Sequence, residues 1–123
     1  MRRYHSLGTM LVLLLIGCAS NETSSELDEK SQAKLYSELG LTYLQRGDYD
    51  VAKERLDKAL KLDPLSADTQ HYLGELLRRT GSPEKAEKHY RKAIKLRPND
   101  PNIQNNFGVF LCSRQRVTEA EPY

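Results

Sequence analysis

Cysteine is scarce in this sequence, and the two that occur, Cys18 and Cys112, lie far apart in unlike surroundings. They do not read as an internal disulfide framework. A long apolar run is missing too. The longest spans residues 10–16, well short of the about 20 needed to cross a bilayer as a helix. Charge of one sign is also lacking. The formal net charge of +2 includes Arg2 and Arg3, and without that pair 17 basic residues stand against 17 acidic ones. Nucleic-acid recognition needs a basic face to neutralise phosphates, so that class drops out. No nucleophile–base pair, paired carboxylates, phosphate loop or metal-ligand cluster occurs at a useful spacing. The expectation is therefore a protein that is not an enzyme, without metal or small-molecule substrate.

What is present begins with a leader. Met1-Arg2-Arg3 gives a positive start and residues 10–16 an apolar core, the make-up of a secretory signal peptide over residues 1–17. Leu15-Ile16-Gly17-Cys18 resembles the lipobox of bacterial lipoproteins. The resemblance implies an acylated Cys18, whose covalent lipid (palmitate and its relatives) is the sole non-protein group expected. Each buried methylene contributes about 0.8 kcal/mol, so two or more acyl groups give a stable membrane anchor. Ala19 in place of aspartate resembles the signal for forwarding to the outer membrane, on its periplasmic face. Residues 21–32 are rich in Ser, Glu and Asp and lack apolar periodicity, so residues 18–32 read as the acylated cysteine and a flexible tether.

Beyond the tether a single spacing governs the sequence. Gly40, Gly74 and Gly108 are 34 residues apart, as are Gly47 and Gly81, Ala52, Ala86 and Ala120, Ala59 and Ala93, and Pro64 and Pro98. This pattern resembles the tetratricopeptide repeat, whose period it shares. The fold class implied is an all-α solenoid of antiparallel helical hairpins. Two repeats, 33–66 and 67–100, are complete and a third, 101–123, is partial. Gly47 and Gly81 suit helix C-termini, Pro83 and Pro101 helix starts, and Pro64 and Pro98 the close of second helices. Helices are predicted near 31–46, 49–62, 67–80, 83–96 and 101–114. Tyr36, Leu39, Tyr43, Leu56, Leu60, Leu73, Leu76, Leu77, Tyr90 and Ile94 are the expected interior. The third repeat keeps only residues 117–121 of its second helix before Pro122. Phe107, Val109, Phe110 and Leu111 are thus expected to lie open, as in a piece of a longer array or an end covered by a partner.

Resemblance to the repeat family also implies a partner-binding groove on the first helices. Its positions are Lys34, Ser37, Leu41, Leu44 and Gln45, then Asp68, His71, Glu75, Arg78 and Arg79, then Asn102, Asn105, Val109 and Cys112. Such a lining suits an extended or helical segment of a protein partner. His71 and His89 occupy non-equivalent repeat positions and read as solvated. Cys112 reads either as a small residue beside the groove or as a thiol awaiting a cysteine from outside this sequence. Lys85, Lys88, Arg91, Lys92, Lys95 and Arg97 read as an outer face with pairs such as Glu84–Lys88, the alternative being attraction to anionic headgroups.

Asn105-Asn106-Phe107-Gly108-Val109-Phe110-Leu111-Cys112, followed by Arg116 and Glu119-Ala120-Glu121, resembles a repeat of the type IV pilus biogenesis lipoproteins, the pilotins. Residues 36–49 are similar to the opening repeat of that family. The resemblance implies a non-enzymatic outer-membrane lipoprotein that helps the pilus secretin subunit reach the membrane and multimerise. Members carry further repeats, so the resemblance implies a sequence truncated at its C-terminal end. The alternative is a periplasmic repeat adaptor for outer-membrane protein assembly or for cell-wall enzymes.

Overall fold

The computed structural model describes residues 20–123, with side chains from residue 24. The leader, Cys18 and the start of the tether lie outside the described residues. Six helices follow in order: α1 Ser20–Arg46, α2 Tyr49–Leu62, α3 Ala67–Arg79, α4 Pro83–Leu96, α5 Pro101–Ser113 and α6 Val117–Ala120. Each odd-numbered helix packs on the even-numbered helix after it. α1 touches α3 and α3 touches α5, which stacks the hairpins side by side. Among the described residues the fold is an all-helical array of hairpins, as the repeat spacing implies.

Local chemistry places the ends. Ser66 Oγ accepts from Thr69 N at 3.2 Å to start α3, and Asp100 Oδ1 accepts from Asn102 N and Ile103 N to start α5. Ser82 holds the corresponding place before Pro83, but its hydroxyl makes no capping bond. Gly47 and Gly81 adopt φ of 84° and 81°, where a side chain is strained. The third hairpin puts Gln115 at the equivalent position with φ 61°. All three turns close alike, with Asp48 N, Ser82 N and Arg116 N donating to the carbonyls of Tyr43, Leu77 and Leu111.

The 34-residue glycines are points of close approach. A Cβ on Gly40 would come within 2.6 Å of Leu56, and one on Gly74 within 3.0–3.1 Å of the Tyr90 ring. Leu56 and Tyr90 are fully buried there. At Gly108 the neighbour is Tyr123, whose ring meets Phe107 edge-on at 4.9 Å.

Three expectations need correction. The segment expected as a flexible tether is helical from Ser20, as the first three turns of α1. No glycine or proline interrupts residues 20–39, and extending a formed helix adds one hydrogen bond per residue fixed. Pairs at i,i+4, Glu26–Lys30 and Asp28–Gln32, both at 2.8 Å, support it. The open end of the third repeat is largely closed. Phe107, Phe110 and Leu111 are 1% exposed, packed with Ala86, Tyr90 and Ala120, and Val109 alone of the four faces solvent. Leu39, expected inside, is 37% exposed, while Ala33, Leu44 and Ile103 are buried instead. Among the described residues no helix is long and apolar enough to cross a membrane.

Candidate functional site on the first-helix face

α1, α3 and α5 carry all the predicted groove positions, but not all of them reach solvent. Lys34, Gln45, Asn102, Asn105, Val109 and Cys112 are exposed, and Leu41 is half-buried. Leu44 is removed from the groove: it is 1% exposed and packs with Leu56, Leu73 and Leu76. Its repeat equivalents Arg78 and Cys112 stay exposed, so the three repeats turn this position differently. Ser37 is likewise buried, accepting from Thr69 Oγ1 at 3.2 Å to join α1 to α3.

His71 is not solvated. It is 7% exposed, and Asn106 Nδ2 lies 2.7 Å from its Nε2, linking α3 to α5. Burial pushes its pKa below the ordinary value, against the pull of Glu75, Asp68 and Asp100. His89 is half-buried, its Nδ1 2.7 Å from Gln70 Oε1, and burial followed by the Lys92 charge depresses it too. Glu75 gathers Arg78, Arg79 and Tyr90: its carboxylate accepts from both guanidinium groups at 2.6–2.9 Å and from the Tyr90 hydroxyl at 2.8 Å. Burial raises its pKa, but those hydrogen bonds outweigh it and hold the group at about 2. Glu75 therefore organises this stretch of the face and is not free to bind.

Two adjoining clefts remain. One, of about 390 Å³, lies among Lys34, Glu38, Ser66, Asp68, Tyr72 and Arg97. The other, of about 230 Å³, lies among Asp68, His71, Tyr72, Asn102 and Asn106. Asp68 and Tyr72 line both, and Arg97 Nη2 closes on Asp68 at 2.9 Å. Glu38, Tyr72 and Asn106 are absent from the predicted groove. They are one 34-residue series, each next to a predicted position, so the register contains the signal. Among the described residues no cluster of His, Cys, Asp and Glu is placed to hold a metal. Cys112 is free and exposed. The expected Glu84–Lys88 pair does not form. Glu84 meets Arg114 at 3.3 Å, and Glu87 meets Arg91 and Arg116, each at 2.7 Å.

Hairpins in 34-residue register, glycines under bulky second-helix residues and a polar first-helix face define a helical-repeat scaffold for protein contacts. A family model described as "Tetratricopeptide repeat" matches residues 37–101. The chain belongs to the tetratricopeptide-repeat family. Type IV pilus assembly protein PilF of Pseudomonas aeruginosa is 37% identical over 117 residues, covering 90% of this chain and 46% of PilF. An uncharacterized protein of Haemophilus influenzae is 30% identical over 115 residues, covering 94% of this chain and 64% of its own length. A solved structure of Pseudomonas aeruginosa PilF matches with TM-score 0.73 and 38% identity, over 76% of this chain and 42% of that one. A crystal structure of MamA matches at 0.67 and 26%, over 79% and 56%. The chain thus spans between 42% and 64% of the length of these relatives.

Proposed function

We propose that this protein is a lipid-anchored assembly factor of type IV pilus biogenesis, acting on the outer-membrane secretin. In this reading residues 1–17 export it, Cys18 carries the lipid, and the scaffold faces the periplasm from the outer membrane. No catalysis is involved. The first-helix face takes a segment of the secretin subunit, with Asn102 and Asn105 offering side-chain amides and Val109 an apolar contact.

The observation that carries this reading is the similarity to PilF across 90% of the sequence. The fold adds a face of exposed amides beside two clefts, which suits hydrogen bonding to an extended segment. Deletion of the gene is expected to abolish secretin multimers and twitching motility, with recovery on complementation. Normal multimers in the deletion strain would overturn the proposal. Co-purification with a different envelope complex instead of the secretin would point to the adaptor role.

A further inference from the structure

The second helix of the second repeat carries a charge pattern that its counterpart in the first repeat lacks. Lys85, Lys88, Lys92 and Lys95 follow one another at spacings of three, four and three along α4, so they share one face. That face is opposite the buried Ala86, Tyr90 and Ala93, and all four lysines are exposed. The row covers about 15 Å of helix. The acids of the same helix are engaged elsewhere. Glu84 pairs with Arg114 of the third hairpin, and Glu87 with Arg91 and Arg116. α4 therefore holds five Lys and Arg residues against two acidic ones, both acids committed to arginines. In α2 the equivalent positions are Val51, Glu54, Lys58 and Lys61. There Glu54 pairs with Arg55, and the Lys58 ammonium sits 4.6 Å over the Tyr36 ring. The row is thus a property of this helix, not of the repeat.

We propose that the α4 lysine row is a docking surface for the anionic headgroups of a lipid bilayer. The chemistry favours lipid over other anions. Lysine is a hydrated point charge suited to a diffuse anionic surface, whereas bidentate recognition of phosphate or carboxylate calls for arginine. The one arginine on α4, Arg91, is occupied by Glu87. No aromatic side chain lies in the row to stack on a base, as binding of single-stranded nucleic acid requires. Each lysine near an anionic leaflet multiplies affinity by roughly five, so four act together as a salt-sensitive, reversible contact. Because the row points away from the first-helix face, a bilayer seated on it leaves Asn102, Asn105 and Val109 accessible. The contact would set which way the scaffold faces.

The test is acetylation footprinting of the full-length protein on vesicles. One set is phosphatidylcholine alone, and the other has roughly one-third phosphatidylglycerol, at low salt and at about 0.5 M salt. Lys85, Lys88, Lys92 and Lys95 are expected to be protected several-fold relative to Lys30 and Lys34 only on the anionic vesicles at low salt. Equal labelling on both vesicle types would overturn the proposal. So would protection that follows protein concentration without vesicles, which would assign the row to a second copy. A variant with all four lysines changed to glutamine should keep its helical circular dichroism and lose the slowing of α4 amide exchange on anionic vesicles. Persistence of that slowing would also overturn it. No pilus component enters these assays, so their failure and that of the secretin reading are distinguishable.

Discussion

Tyr90 donates its hydroxyl hydrogen to Glu75 at 2.8 Å while its ring fills the space over Gly74, which joins α4 to α3 by packing and by charge at once. Glu75 has two arginine partners besides, so loss of the hydroxyl leaves no orphaned carboxylate. Tyr90→Phe removes a hydrogen bond to a charged acceptor and is expected to cost about 1.5–3 kcal/mol. Tyr90→Ala removes a fully buried ring and should cost about 3–5 kcal/mol. Urea denaturation monitored by circular dichroism measures both. Equal losses in the two variants would contradict the division between ring and hydroxyl.

The contact of Gly40 with Leu56 predicts a non-additive pair. Gly40→Ala gains about 1 kcal/mol of helix propensity, but its Cβ falls 2.6 Å from a buried side chain. Overpacking of about 1–3 kcal/mol should prevail. In Leu56→Ala the obstructing atoms are gone, so the double variant should lose less than the sum of the singles. Additivity in chemical denaturation would refute the steric account.

Gln115 stands in left-handed backbone where the first two hairpins have glycine. An L-residue there costs about 1–2 kcal/mol. Gln115→Gly is therefore expected to stabilise the fold by about 1 kcal/mol, and Gly81→Gln to destabilise it by a similar amount. Thermal melts compare the two directly.

Acid should weaken the stack through its histidines. The pKa values of His71 and His89 in the fold lie below 6.5, chiefly through burial, so both rings are held neutral where the unfolded protein would be charged. Their stabilising contribution is complete above pH 6.5 and is lost as pH falls through that value towards the folded pKa. The thermal midpoint should drop between about pH 7.5 and pH 5.5, and less so in a His71→Gln, His89→Gln variant. An identical pH profile in the variant would refute the assignment.

On the first-helix face, Asn105→Ala and Val109→Arg replace exposed side chains and should shift stability by less than about 0.5 kcal/mol. Both are expected to reduce secretin multimers in a complemented deletion strain. Wild-type multimer levels in both would place the contact elsewhere.

The hairpin architecture is legible because glycine and proline punctuate it at a fixed interval and each has one dominant backbone use. Helix boundaries over α2 and α4 follow from Gly47, Pro64, Pro83 and Pro98. The groove is only partly legible. Repeat position locates a residue on a helix but does not say whether its side chain turns in, and Leu44 turns in among Leu56, Leu73 and Leu76. The burial of His71 escapes a reading of its own helix because it comes from Tyr72, Tyr90 and Asn106, two of them on other helices. The third repeat closes on Ala86 and Tyr90 of α4 and Ala120 of α6, and Tyr123 adds a ring contact with Phe107 that no periodicity encodes. Residues 20–32 lack an apolar stripe, yet helix continuity needs none once the next turns are fixed.

That continuity changes what the start of the described structure can transmit. Residues 24–32 are all exposed, and they still form the same rod as the buried turns after them. A slack string sets only a maximum distance, whereas a rod conveys direction and angular phase. Each residue inserted there would turn the Ser20 end of α1 by about 100° about the helix axis and move it by about 1.5 Å. Length and heading are therefore locked together at this end of the molecule.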